Sequence, residues 1–151
     1  NVAPHPFNRE GASQGLLCGG NLSIIYSLSA TDADISTEGK ILFIEDLDEY
    51  LYHIDRMMMN LKRSGKLKDL AGLIVGGMSV MNDNPIPFGK DALEIIRDIV
   101  DGYDYPVCYN FPAGHIEENM PLIMGRKVSL KVTREGASVG FFTFCLKKRE
   151  F

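Results

Sequence analysis

The sequence has no apolar run long enough to cross a bilayer and no stripe of basic residues. Its longest apolar stretches, such as Ile41–Ile44 and Leu73–Val75, are far shorter than the roughly 20 residues that a membrane helix requires. The formal net charge of -4 comes from acidic residues scattered among basic ones, which is not typical of a protein that binds nucleic acid. The sequence therefore argues against both a membrane segment and a nucleic-acid partner.

Cysteine is scarce, and no metal-binding motif accompanies it. The three cysteines, Cys18, Cys108 and Cys145, form no CxxC pair and lie in apolar surroundings, which is typical of reduced, buried thiols. Zinc is a rival interpretation for a chain with three histidines and several acids, but HExxH and a histidine pair at helical spacing are both missing. We therefore expect no metal and no other cofactor, and we expect a reducing compartment, the cytoplasm.

The 151 residues, 45% of them hydrophobic, are sufficient for one globular domain. Residues 1–14 contain Pro4, Pro6 and Gly11, have no apolar period and are predicted to be an interdomain linker. The domain itself is then expected to span residues 15–151. The chain opens on asparagine rather than methionine, so we expect it to be part of a longer protein.

Short apolar runs alternate with amphipathic segments along the chain. Buried strands are predicted at Leu16–Cys18, Ile41–Ile44, Leu70–Val75 (stopped by Gly76-Gly77) and Pro106–Tyr109. Helices are predicted after Asn21, from about Asp48 to Arg63 and from about Lys90 to Val100, because apolar residues recur there at steps of three and four. Such interleaving predicts an α/β domain with helices packed on its sheet.

The end of the chain has a different period. Val128, Leu130 and Val132 alternate with polar residues, Glu135-Gly136 is predicted to form a turn, and Ser138–Phe144 returns as a partner strand. This pattern predicts a C-terminal antiparallel hairpin. Joined to the buried strands, the hairpin would make the sheet a mixed one.

Glu45 is the first candidate for chemistry, because it directly follows the apolar run Ile41–Ile44. A residue in that position lies at the carboxyl edge of a sheet, where α/β proteins place ligands and catalytic groups. An alternative is structural: acids such as Asp46 and Asp48, just before a helix, can cap its free N–H groups. Position alone leaves both interpretations open for Glu45.

His115 and Asn21 are further candidates. His115 follows the loop Phe111–Gly114, in which proline and glycine restrict the backbone, and it can be either a general base or a surface histidine. Asn21 follows Gly19-Gly20 at a predicted strand-to-helix turn, where a helix cap is the simpler role than anion binding. The chain has no GxSxG motif and no serine at a clear strand-to-helix elbow, so these groups have no evident nucleophile.

Five motifs in register carry a resemblance to a known family. They are Gly19–Ser23, Gly39–Asp46, Tyr52–Arg56, Phe111–His115 with Asn119, and Pro121–Gly125. Their order and spacing resemble the C-terminal domain of the LD-carboxypeptidases, also called muramoyltetrapeptide carboxypeptidases, over about residues 11–132. Two departures concern the pocket: His53 stands where arginine is usual, and Ile116–Glu118 follows the histidine where glycine is more frequent.

The resemblance implies a swivelling β/β/α-type domain that contributes Glu45 and His115 to a Ser-Glu-His triad. An N-terminal flavodoxin-like domain, outside this chain, would supply the serine and the oxyanion hole, so this domain alone is expected to be inactive. In such a triad the carboxylate orients the imidazole, which takes the proton of the serine hydroxyl. The resemblance further implies removal of the terminal D-alanine from muropeptide tetrapeptides in peptidoglycan recycling, by a cytoplasmic homodimer, with Asn21 as a substrate contact.

Two other functions stay open. A related branch, the microcin C immunity hydrolases, cuts a peptide or amide link in an aminoacyl-nucleotide toxin. A non-enzyme alternative is a muropeptide-binding or interaction module in which Glu45 and His115 only cap and form hydrogen bonds. The sequence also leaves open whether Glu45 or Asp46 pairs with His115, although the strand period favours Glu45.

Overall fold

The computed structural model describes residues 1–142, which form six strands and three helices. The strands are β1 (Gly11–Asn21), β2 (Ile41–Leu47), β3 (Gly72–Ser79), β4 (Val107–Cys108), β5 (Lys127–Thr133) and β6 (Gly136–Phe141). The helices are α1 (Leu22–Ser27), α2 (Leu51–Arg63) and α3 (Ala92–Val100). All strands belong to one sheet in the order β4-β3-β2-β1-β5-β6.

The sheet is mixed, as predicted. β1 to β4 pair in parallel, whereas β5 runs antiparallel to β1 and β6 antiparallel to β5. The α/β fold and its C-terminal hairpin are therefore confirmed, with the turn one residue earlier than predicted because Thr133 already pairs with Gly136. The last residues predicted for the second hairpin strand, Thr143 and Phe144, lie outside the described part of the chain.

Each face of the sheet has its own apolar core. Leu42 and Ile44 of β2 pack toward α2 and α3, whereas Ile41 and Phe43 pack toward the opposite face together with Leu130 of the hairpin. Successive side chains of a strand point to opposite faces, so a strand buried on both sides is apolar at every position. This is why β2 has a continuous apolar run.

The two longer helices begin later than predicted. Asp48 has a positive φ of 57°, so the chain is not yet helical there and α2 begins at Leu51. α3 begins at Ala92, because Asp91 is its N-cap: the Asp91 side chain accepts from the backbone N–H of Glu94, whose own side chain accepts from the backbone of Asp91. This capping box fixes the first turn of α3.

Gly76 and Gly77 lie inside β3, which continues to Ser79, so the prediction that this pair would end the strand is wrong. A Cβ atom on Gly76 would lie 2.5 Å from the carbonyl oxygen of Ala113, and one on Gly77 would collide with Cγ2 of Ile116. A side chain at either position would therefore require its neighbour to move. The glycines therefore provide space for the loop that follows β4.

Residues 2–9 form an N-terminal strap that reaches both edge strands of the sheet. Val2 forms a β-bridge with Ala137 of β6, and Arg9 forms one with Val107 of β4. The backbone hydrogen bonds of these bridges are 2.7 to 3.1 Å long. The strap thus covers part of each edge, which would otherwise be free to pair with another strand.

The strap is also packed by its side chains. The Phe7 ring meets Tyr109 edge-on at 5.9 Å, and the guanidinium of Arg97 lies 4.5 Å over the Phe7 ring. The structure starts β1 at Gly11, before the domain start predicted at Gly15, because residues 11–16 pair with β5. That residues 1–14 link this domain to another stays a prediction.

Candidate active site

Glu45 and His115 meet at the carboxyl end of β2. Nδ1 of His115 lies 2.7 Å from Oε2 of Glu45, and the backbone N–H of His115 donates to the same oxygen at 3.1 Å. Of the two acids left open by the sequence, Glu45 rather than Asp46 contacts the histidine. Strand alternation explains this choice, since Glu45 shares the face of Phe43 and Asp46 points to the other face.

The two partners differ in exposure. The Glu45 side chain is 6% exposed, whereas that of His115 is 55% exposed. Within residues 1–142, Nε2 of His115 has no hydrogen-bond partner. The hydrogen bond that His115 donates to Glu45 and the charge of Glu45 raise the pKa of His115 above its ordinary value, with a smaller contribution from Asp46. A histidine anchored through Nδ1 with an accessible Nε2 can act as a general base.

A β-bulge lies opposite Glu45. Ile44 pairs with Val75 and Asp46 pairs with Met78, so two residues of β3 face the single residue Glu45. Such bulges redirect side chains and are frequent beside active sites. Here the two residues in the bulge are the glycines that make room for the loop after β4.

Gly114 allows that loop to reach the carboxylate. Its φ is +108°, and a Cβ atom at this position would lie 2.7 Å from Oε2 of Glu45. The backbone N–H of Gly114 donates to Oδ1 of Asn119 at 3.2 Å, which folds the loop back on itself. Only glycine fits here, because a Cβ atom would occupy the space of the Glu45 carboxylate that contacts His115.

β3 holds the other side of the loop. The backbone N–H of Gly77 donates to the carbonyl oxygen of Ala113 at 3.0 Å, and the Ser79 hydroxyl donates to the carbonyl oxygen of His115 at 2.7 Å. Sequence reasoning missed Ser79, since β3 was predicted to end before it. Its position at the end of the strand beside β2 is the signal that could have identified it.

Asn21 ends β1 and caps α1. Its Oδ1 accepts from the backbone N–H of Ile24 at 3.1 Å, and its Nδ2 donates to Oδ1 of Asp46 at 2.8 Å. In the parallel ladder Asn21 is the register partner of Glu45. The predicted cap is therefore confirmed, whereas a contact between Asn21 and a substrate stays a prediction.

Asp46 is the centre of a hydrogen-bond network on the helix side of β2. Its side chain also accepts from the backbone N–H of Ser23 at 3.0 Å, from the Ser23 hydroxyl at 2.8 Å and from the backbone N–H of Leu47 at 2.9 Å. The Ser23 hydroxyl is at the same time 2.9 Å from Oε1 of Glu49. Asp46 itself is 2% exposed. Sequence reasoning gave this residue a capping role or a contact with His115, and it did not predict the network.

A second carboxylate–histidine pair adjoins this network. Nδ1 of His53, in the first turn of α2, lies 2.7 Å from Oε2 of Glu49, which comes four residues earlier and just before that helix. Burial acts to raise the pKa of Glu49, but the hydrogen bonds with His53 and Ser23 outweigh it and hold that pKa below its ordinary value. Sequence reasoning placed His53 inside the helix pattern and missed the pair.

The described residues include two thiols and no cluster of metal-ligating side chains. Across residues 1–142, no group of three or more His, Cys, Asp or Glu side chains is placed to hold a metal ion. No described helix has both the length and the apolar composition needed to cross a membrane. Cys18 and Cys108 are free thiols, and burial raises the pKa of Cys108 to about 12. Cys145 lies outside the described residues.

The sequence is similar to those of known carboxypeptidases. A family model described as the LD-carboxypeptidase C-terminal domain matches residues 14–130. The chain is 37% identical over 131 residues to a probable murein peptide carboxypeptidase of Bacillus subtilis (strain 168), with 85% of this chain and 40% of that protein covered. It is 23% identical over 134 residues to the microcin C7 self-immunity protein of Escherichia coli, with 88% and 38% covered.

A solved structure supports the fold. The crystal structure of muramoyltetrapeptide carboxypeptidase from Oxalobacter formigenes superposes with a TM-score of 0.83 and 26% identity. The superposition covers 95% of this chain and 48% of that one. The chain thus spans about two fifths of the length of the curated relatives above, at 40% and 38%.

Proposed function

The chain belongs to the LD-carboxypeptidase family as its C-terminal domain, and from this premise we propose that Glu45 and His115 are two members of a Ser-Glu-His triad. The longer protein is a serine carboxypeptidase that removes the terminal D-alanine from muropeptide tetrapeptides in peptidoglycan recycling. The observation that carries the proposal is the 2.7 Å contact between Glu45 and Nδ1 of His115, which leaves Nε2 accessible.

The chemistry follows from that contact. A carboxylate can only accept, so Glu45 keeps the proton of the neutral imidazole on Nδ1 and leaves the Nε2 lone pair available. Nε2 takes the proton of the serine hydroxyl as the serine attacks the peptide carbonyl. The positive imidazolium is then stabilised by Glu45, and it returns the proton to the departing amino group of D-alanine.

The serine belongs to the N-terminal domain of the same protein in this proposal. Among the described residues, no hydroxyl is hydrogen-bonded to Nε2 of His115. A site shared between two domains assembles only when they close on each other, which positions the groups and excludes water. The C-terminal domain alone is therefore inactive. Asn21 is a substrate contact in the same proposal, and the full-length protein is a cytoplasmic homodimer.

A second function uses the same triad. The similarity to the microcin C7 self-immunity protein, at 23% sequence identity, favours a hydrolase that cuts an aminoacyl-nucleotide toxin. The two functions differ in the leaving group and not in the roles of Glu45 and His115. They are therefore separated by substrate and not by mutation of the pair. The muropeptide-binding module is the third alternative, and it predicts no turnover of either substrate.

The test uses the full-length protein and its Glu45→Gln variant. Release of D-alanine from a tetrapeptide muropeptide is followed by chromatography, beside hydrolysis of an aminoacyl sulfamoyl adenosine. The proposal predicts D-alanine release that falls at least about a thousandfold in Glu45→Gln while the circular dichroism spectrum is retained. Cleavage of the nucleotide compound alone would favour the immunity hydrolase. Unchanged turnover in Glu45→Gln would sink the triad assignment.

A further inference from the structure

The side-chain amide of Asn21 has one defined orientation. An asparagine amide can rotate by half a turn and exchange its oxygen and nitrogen, so its hydrogen-bond partners decide which way it points. The backbone N–H of Ile24 can only donate, and it requires Oδ1. The carboxylate of Asp46 accepts and requires Nδ2. Both partners therefore select the same orientation.

This orientation limits what Asn21 can offer to a ligand. Within the described part of the chain, Nδ2 makes a single hydrogen bond, so one N–H of the amide is left over. Asn21 is partly exposed and is the register partner of Glu45, so this N–H belongs to the same edge of the sheet as the candidate triad pair. A spare N–H recognises an oxygen and not a cation.

We propose that Asp46 is a positioning residue that holds the Asn21 amide so that its remaining N–H donates to an oxygen of the peptide substrate. The proposal rests on the function proposed above and deepens it. Asp46 suits the role because it is 2% exposed and is itself held by the Ser23 backbone and hydroxyl. Asp46 directly follows Glu45 in β2 and contacts the Asn21 amide, so it lies beside both candidates.

A purely structural role for Asp46 makes a different prediction. Asp46 also stabilises the first turn of α1 through Ser23, and loss of that support would weaken the protein whatever residue stands at position 21. A positioning role acts through the Asn21 amide alone. The effect of changing Asp46 should then disappear once that amide is gone, which is the criterion for coupled residues.

The experiment is a double-mutant cycle in the full-length protein. Asn21→Ser keeps a capping side chain but removes the amide, and Asp46→Asn removes the charge at nearly constant volume. We expect Asp46→Asn to lower kcat/KM about tenfold in the parent and less than about twofold in the Asn21→Ser background. Equal losses in both backgrounds would overturn the proposal. Asp48→Asn is the matched control on the exposed part of the same edge and should leave kcat/KM unchanged.

A second measurement does not depend on activity. The side-chain amide signals of Asn21 are identified in the NMR spectrum of the full-length protein by their loss in Asn21→Ser. We expect Asp46→Asn to shift them and Asp48→Asn to leave them in place. Unshifted signals in Asp46→Asn would overturn the positioning role. A shift in a protein that releases no D-alanine would refute the proposed function and, with it, the substrate contact.

A third variant keeps the test decisive if Asp46→Asn does not fold. Asn21→Asp retains the oxygen that caps α1 but has no N–H to donate. We expect kcat/KM to fall about tenfold, with most of the change in KM. An unchanged kcat/KM would show that the substrate uses no N–H of Asn21, and the proposal would fail.

Discussion

The Glu45–His115 and Glu49–His53 pairs have the same contact geometry but different surroundings. In both, Nδ1 of the histidine lies 2.7 Å from Oε2 of the glutamate. Glu49 and His53 are only four residues apart, with Glu49 just before the Tyr50 cap of α2 and His53 in the first turn of that helix, so the local chain brings them together. Glu45 and His115 come from different segments and meet only because a bulge, three glycines and Ser79 shape the space between them.

Access to the second nitrogen separates the pairs. His115 has a 55% exposed side chain, whereas that of His53 is 29% exposed and its ring neighbours those of Tyr26 and Tyr52. The carboxylates differ in the opposite sense, because Glu49 is the more exposed acid of the two; its Oε1 lies 2.9 Å from the Ser23 hydroxyl oxygen. A short carboxylate–histidine distance is therefore not sufficient for a base. An open Nε2 beside a buried acid is the distinguishing feature.

Removal of each histidine in turn should give the largest difference in kcat/KM between the two pairs. In the full-length protein, His115→Ala should lower kcat/KM at least about a thousandfold, since the proton acceptor is lost. His53→Ala should change kcat/KM less than about threefold, because its ring packs beside Tyr26 and Tyr52 and has no proposed part in the reaction. Steady-state kinetics of the two variants measures the difference. Comparable losses would show that access to Nε2 is not what separates the pairs.

Changing a glycine tests how the long-range pair is assembled. Gly114→Ala should lower the free energy of unfolding by about 3 kcal/mol, because the new methyl group would meet the Glu45 carboxylate. Gly125→Ala is the control: its φ is also positive, at +77°, but no atom lies within 4 Å, so about 1 kcal/mol is expected. Urea unfolding of both variants gives the comparison. Equal costs would mean that the close approach at Gly114 carries no penalty.

The pH dependence of kcat/KM should also depend on Glu45 and not on Glu49. The pKa of His115 is raised by Glu45, and a general base must be neutral, so kcat/KM should be low below that pKa and rise with pH through it. Glu45→Gln should lower this pKa and move the rise to lower pH. Glu49→Gln should leave it unchanged. NMR titration of the His115 ring checks the pKa directly, and an unmoved titration in Glu45→Gln would contradict this account.

The smallest effect is expected at the Glu49–His53 pair. Glu49→Gln should lower the free energy of unfolding by about 0.5 kcal/mol, as for a partly exposed ion pair screened by solvent. The pKa of Glu49 is lowered in the folded state, so its contribution is present above the ordinary glutamate pKa and is lost as the pH falls through the lowered value. Urea unfolding at neutral and acid pH measures this. A loss that persists in acid would not come from the charge.

The sequence was sufficient to predict the elements that depend on local pattern. The apolar run of β2, the face of α2 and the alternation in β5 each define their own period, and all three were predicted. The start of β1 at Gly11 was not, because that strand exists through its pairing with β5, far along the chain. The prediction that Gly76 ends β3 was wrong for the same reason. Gly76 allows the close approach of Ala113, which no local sequence pattern shows.

The candidate site likewise contains residues that the sequence could predict and contacts that it could not. Glu45 and His115 could be selected from the sequence, since one follows a buried strand and the other follows a restricted loop. The cap formed by Asn21 is local and was predicted too. The contact of Asn21 with Asp46 and that of Ser79 with His115 were not, because each joins two strands or loops whose ends become neighbours only in the folded sheet.

The N-terminal strap has a consequence for the order of folding. Its two bridges join the first residues of the chain to β4 and β6, so they close very long loops and can form only after both strands are in place. During synthesis the strap therefore waits for the hairpin, even though the strap leaves the ribosome before the hairpin does. Its docking marks the moment at which the sheet is complete, and its release should be one of the least costly openings of the folded protein.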